Sequence, residues 1–133
     1  MGSDMNKSKL LLVAAALALA APGSASAASL DGTWSGGGFV KPSSGNSEKV
    51  RCRVSYDRQT DKVFGVTATC ATPSNKIYQT GTVLKVSEDR YVGDFYNGQF
   101  DISGRVRVTV QGSRQTVTFS SAKGTGKMEL RRR

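Results

Sequence analysis

Apolar and polar residues alternate along most of the chain from Val50 onward. In Lys49–Tyr56, Val50, Cys52, Val54 and Tyr56 share one face of a strand, and Lys49, Arg51, Arg53 and Ser55 share the other, because successive strand side chains point to opposite sides. Phe64, Val66, Ala68 and Cys70 repeat the pattern in Val63–Cys70. Setting Cys52 opposite Cys70 also sets Val54 against Ala68 and Tyr56 against Val66, so the cysteines and the apolar faces demand one register. This predicts a disulfide-stapled hairpin with Asp57–Lys62 as its loop.

The rest of the chain continues in the same period. Leu30–Val40 reads as a first strand loosened by Gly36, Gly37 and Gly38, with Trp34 plugging one end of the core, and Lys41–Ser47 reads as a surface loop. Ile77–Ser87 is a strand with Tyr78, Thr80, Thr82, Leu84 and Val86 on one face; Glu88-Asp89 then turns the chain. Arg90–Tyr96 and Gln99–Ile102 flank Asn97-Gly98, a signal for a type I′ turn, whose two central residues take positive φ. Phe100, Ile102, Gly104, Val106, Val108 and Val110 alternate with polar residues in the strand that follows. Gly112-Ser113 turns into Gln115–Ser121, with Val117 and Phe119 inward, and Gly124-Thr125-Gly126 turns into Lys127–Arg131, with Met128 and Leu130 inward.

No segment beyond residue 27 shows a helical period, and eight short strands joined by turns predict an all-β antiparallel meander. Closure into a small up-and-down eight-stranded barrel buries the apolar face and removes exposed edges. A two-sheet β-sandwich is the alternative. A membrane-spanning barrel is not expected, since its lipid-facing side must be apolar and one face here carries Arg51, Arg53, Arg105 and Arg107.

The first residues change the picture of where this fold works. Lys7 and Lys9, the apolar run Leu10–Ala21 and the small residues Ala25 and Ala27 have the plan of a cleavable signal peptide. The run falls short of the ~20 residues that span a bilayer as a helix. Met1–Asp4 ahead of Met5 reads as an added leader or an over-long start. Residues 1–27 are therefore set apart, with cleavage expected after Ala27, and residues 28–133 form a single domain bound for the periplasm or for secretion. In such an oxidising compartment the two cysteines, Cys52 and Cys70, are expected to pair.

Setting aside Lys7, Lys9 and Asp4, the 19 basic and 10 acidic residues become 17 and 9, a net charge of +8. Lys49, Arg51, Arg53, Arg105 and Arg107 form a candidate anion-binding face if their strands are near in space, suited to an anionic envelope component and weakened by salt. Nucleic acid is not an expected partner of an exported chain without an RNP-type aromatic motif. Tyr78, Tyr91, Phe95 and Tyr96, with Trp34, form a candidate pocket for a small apolar ligand inside the barrel or at its mouth. Core packing accounts for the same aromatics if the narrow barrel is filled.

Catalysis is poorly supplied. The chain has no histidine, which removes Ser-His-Asp and Cys-His sites, the usual base near neutral pH and most zinc sites. Asp94 and Asp101 can lie near one another across the Asn97-Gly98 turn, but a solvated surface role accounts for them. Gly36–Gly38 precede no helix, so no phosphate loop is indicated. Neither an enzyme nor a cofactor is expected.

Gly32-Thr33-Trp34 resembles the Gly-x-Trp signature of lipocalin-like and avidin-like barrels. In lipocalins an Arg from the last strand covers that Trp, which the resemblance assigns to Arg131-Arg132-Arg133. Gly32–Gly38, Arg51-Cys52-Arg53 with Tyr56, and Cys70-Ala71 resemble a family of small exported alphaproteobacterial proteins of unassigned activity, across most of residues 28–133. The size, export and single disulfide also resemble the bacterial metalloprotease inhibitors, whose inhibitory N-terminus would correspond to Ala28-Ser29-Leu30. The expected function is a non-catalytic exported binding module, with inhibition of an exported protease as the alternative.

Overall fold

A computed structural model describes residues 29–133. The expected signal segment and its cleavage site lie outside the described residues. Eight strands follow in order: β1 (Gly32–Pro42), β2 (Glu48–Arg58), β3 (Val63–Ala71), β4 (Lys76–Ser87), β5 (Arg90–Asn97), β6 (Ile102–Gln111), β7 (Arg114–Ser121) and β8 (Gly124–Arg132). Each pairs antiparallel with its chain neighbour, and β8 returns to β1 to close a barrel, with Trp34 opposite Arg132 and Pro42 opposite Gly124. That last pairing satisfies the two edges a sandwich would have left open.

The alternation sorts residues as expected in β2 and β3. Val50, Cys52, Val54 and Tyr56 are buried while Arg51 and Arg53 are exposed, and the pairs Cys52–Cys70, Val54–Ala68 and Tyr56–Val66 face one another. Cys52 and Cys70 form the disulfide, with their Cα atoms 4.1 Å apart. The interior is apolar and the outer face charged, the reverse of a transmembrane barrel.

The structure corrects two sequence expectations. In β4, Tyr78, Leu84 and Val86 do share a face, but it is the outer one, with Tyr78 55% exposed. The cause is the register with β3, which sets Val83 against inward Phe64 and Ile77 against inward Cys70; directly opposed residues share a face. The connection after β5 is also longer than a two-residue turn. Asn97 belongs to β5 opposite Ile102, and the loop runs through residues 98–101, with positive φ at Asp101 (52°). A two-residue turn would have set Asp94 against Asp101. In the observed register Asp94 faces Arg105 and the two form an ion pair at 3.4 Å, which replaces a repulsive pair with an attractive one. The proposed carboxylate pair therefore does not exist. Both registers keep the same residues inward, so the apolar pattern alone does not choose between them.

A smaller difference occurs before β8, where residues 122–123 make the turn and Gly124 already pairs with Ser121.

Candidate functional site

The two ends of the barrel differ. At one end, where β1 starts and β8 finishes, the interior is filled by Leu30, Trp34, Tyr56, Phe64, Tyr91 and Leu130, all buried. Trp34 donates its indole N–H to the Leu30 carbonyl at 2.9 Å. The Arg132 guanidinium lies over the Trp34 ring at 4.3 Å and donates to the carbonyls of Asp31 (2.9 Å) and Ser29. An Arg from the last strand thus covers the Trp of the first, as the resemblance implied. Higher up, the Tyr56 hydroxyl donates to Gln115 Oε1 at 2.6 Å, and burial pushes its pKa well above the usual tyrosine range, so it stays a neutral donor. Leu30 is fully buried beneath this cap, so it does not project as an inhibitory N-terminus would; Ala28 lies outside the described residues.

The opposite end is hollow. A chamber of about 370 Å³ opens there between the ends of the strands, with Val50, Cys52, Cys70, Ile77, Ile102 and Met128 among its walls and Phe100 at its mouth. That is at the lower end of the ~300–1,000 Å³ typical of small-molecule sites, with the expected apolar lining. Phe95 and Phe119 meet edge to face at 5.7 Å and separate the chamber from a space of about 50 Å³ deeper in the barrel; both rings line both spaces. Each ring needs a glycine on the next strand. A Cβ at Gly104, opposite Phe95, would come within 2.9 Å of that ring, and one at Gly126, opposite Phe119, would fall inside the other. The glycines let aromatic rings lie flat against the wall, a device that helps a small barrel curve.

One polar side chain stands out in this lining. Asn97 is 1% exposed; its Oδ1 accepts the Phe100 N–H at 2.9 Å, and its Nδ2 has no hydrogen-bond partner among the described residues. A buried donor left unpaired costs about 1–3 kcal/mol. The backbone hydrogen bond assigns the oxygen to the loop and leaves the amino group for the chamber. Gln115 Nε2 is also buried without a partner, but it does not line this chamber.

Of the five residues expected to line a pocket, then, Phe95 does. Trp34 and Tyr91 belong to the filled end, Tyr91 with its ring edge-to-face on Phe64 at 5.4 Å, and Tyr78 points outward. Tyr96 is likewise exposed, at 50%. The signal for Asn97 was available, since it continues the parity of Tyr91, Gly93 and Phe95, but its turn-forming neighbour Gly98 masked it.

The expected basic face is also rearranged. β2 and β6 are four strands apart in an eight-stranded closed barrel, hence on opposite walls, so Lys49, Arg51 and Arg53 do not share a surface with Arg105 and Arg107. Arg105 is instead engaged with Asp94. The cations beside β2 come from β7 and β8: Ser35 pairs with both Arg53 and Arg131, and Arg131 with Arg114, which makes one row across four strands. A parallel row holds Lys49, Phe39 and Lys127. Between them Gly37 leaves a groove rimmed by Arg51, Arg114 and Arg131, with Glu129 its one acid. Among the described residues none of these cations is in a salt bridge.

No protein-family model matches the chain, and no curated protein does. Solved structures do. A redesigned β-barrel, mFAP1, bound to DFHBI superposes with a TM-score of 0.66 at 13% identity, over 77% of this chain and 94% of that one. A second redesigned barrel, mFAP0, also bound to DFHBI, gives 0.65 at 14%, over 77% and 98%. A fluorescence-activating β-barrel of de novo design gives 0.62 at 17%, over 78% and 94%. The likeness is one of fold. These barrels and this chain share closure and size at very low identity, so side-chain chemistry must be read from this chain alone.

Proposed function

We propose that this protein is a non-catalytic, exported binding barrel that takes a small apolar ligand in the chamber at its open end. The chamber itself carries the reading: about 370 Å³ of apolar-lined space open to solvent at one end of a barrel whose other end is filled and capped. Support for the scale comes from the designed barrels mFAP1 and mFAP0, which are bound to a small molecule, DFHBI. Export rests on the signal-like N-terminus and agrees with the disulfide.

Ala68 lines both the chamber and the deeper space, with no side chain beyond Cβ to obstruct them. Titration with N-phenyl-1-naphthylamine, a neutral apolar dye, is expected to show saturable fluorescence enhancement at one site. Ala68→Phe fills the chamber and is expected to weaken that binding at least about tenfold, since it removes the apolar contacts that the site supplies. Far-UV circular dichroism verifies that the variant keeps its strands. No saturable enhancement with the parent protein, or undiminished binding by folded Ala68→Phe, rejects the reading.

A second reading is favoured by the row of cations along β2, β1, β8 and β7, none of them in a salt bridge among the described residues, which suits an anionic envelope polymer. Heparin binding is then expected to weaken linearly on a log–log plot against salt, and Arg51→Ala with Arg131→Ala to reduce that slope by roughly one to two. A salt-independent signal, or an unchanged slope, dismisses it.

A further inference from the structure

Resting on the chamber reading, we propose that the ligand is an amphiphile with a carboxylate head, whose oxygen accepts a hydrogen bond from Asn97 Nδ2 while its hydrocarbon part lies inward against Phe95 and Phe119. Three observations converge. Asn97 is the one buried polar residue of a mainly apolar lining whose other polar members, Gln79 and Ser121 among them, are partly or fully exposed, and its amide has its oxygen engaged and its nitrogen without a partner among the described residues. Depth orders the contacts: β5 runs from the filled end to the open end, so Phe95 sits two residues, or about 7 Å, further in than Asn97. An acceptor at Asn97 therefore leaves the tail pointing to the aromatic floor. Charge at the mouth selects among acceptors. Lys41 and Lys123 border the chamber opening against one acid, Glu48. The Lys123 ammonium is held by the Phe100 carbonyl at 3.4 Å, on the same residue whose N–H binds Asn97, so a cation and the free amide are presented together. A carboxylate satisfies both, and hydrogen bonds with one charged partner are about twice as strong as neutral ones. A cationic head satisfies neither.

The test is displacement of N-phenyl-1-naphthylamine by decanoate and by decyltrimethylammonium, which share a tail and differ in the head. Decanoate is expected to compete at least about tenfold better. Asn97→Leu removes the donor without adding charge, and Asn97→Asp, measured at pH 8.5, keeps an acceptor for the Phe100 N–H while putting an anion where the donor was. Both are expected to lose most of the preference for decanoate over decyltrimethylammonium, read as the ratio of the two competitors within each variant so that any change in the dye's own affinity cancels. Dye binding also reports that the variants retain the chamber. If the parent does not bind the dye, the chamber reading itself fails. If the dye binds but the two amphiphiles compete equally, or if decanoate keeps its preference in variants that still bind dye, the Asn97 assignment fails and the chamber reading stands.

Discussion

Trp34→Ala is expected to destabilise the barrel by about 3–5 kcal/mol, the range for removing a large aromatic from a packed core. Against a total of ~5–15 kcal/mol, that brings a domain of this size near its unfolding threshold. The magnitude follows from what the ring supports. Trp34 is fully buried, donates to the Leu30 carbonyl and carries the Arg132 guanidinium on its face, and Arg132 in turn holds the carbonyls of Ser29 and Asp31. One substitution therefore opens a cavity, frees a buried carbonyl and removes the platform beneath a cation. Trp34 is the only tryptophan, so the variant must be followed by far-UV circular dichroism in urea and not by fluorescence. Arg132→Ala is expected to cost less, about 1–2 kcal/mol, and the double variant less than the two effects combined, because both remove the same stacking. A loss below about 1 kcal/mol for Trp34→Ala, or strict additivity with Arg132→Ala, contradicts the account of this end as a coupled cap.

The same cap illustrates what the chain made legible. Gly32-Thr33-Trp34 implied, through its resemblance to the lipocalin signature, an arginine of the last strand over the tryptophan of the first, although which of Arg131, Arg132 and Arg133 covers the ring depends on inward parity in β8. The β2–β3 register was readable because two unrelated signals, a cysteine pair and a period of two, agreed on it. β4 was not. Tyr78, Leu84 and Val86 are good strand formers on either face, and their direction is decided by pairing with β3. The grouping of Lys49, Arg51 and Arg53 with Arg105 and Arg107 on one face failed against the closure that the same pattern predicted: alternation tells which side chains point outward, but in a closed eight-stranded meander β2 borders β1 and, beyond it, β8, and β6 lies across the barrel. Whether the interior is hollow was out of reach altogether. It depends on how far Phe95 and Phe119 lean over Gly104 and Gly126, a matter of packing between strands that no single-strand pattern records.

Replacing Cys52 and Cys70 together with alanine is expected to remove about 3 kcal/mol of stability, since the bridge closes a loop with a sequence separation of 18 and so restrains the unfolded chain. For a domain of this size that lowers the melting temperature by roughly 12–24 °C. The position of the bridge gives the prediction a further part. Cys52 and Cys70 belong to the wall of the hollow chamber, where interior side chains such as Val50 and Met128 line an open space of about 370 Å³ instead of filling it as they do under Trp34. The filled end draws its stability from packing; the open end keeps space for a ligand and forgoes that packing, so a covalent link between β2 and β3 is placed where it is most needed. Amide hydrogen exchange is therefore expected to accelerate first in residues 48–54 and 68–77 of the double variant, with the segments around Trp34 and Leu130 keeping their protection. N-phenyl-1-naphthylamine affinity is expected to fall with it. Uniform acceleration across all strands, or a stability loss below about 1 kcal/mol, argues instead that the open end is self-supporting and that the bridge serves only to restrict the unfolded chain.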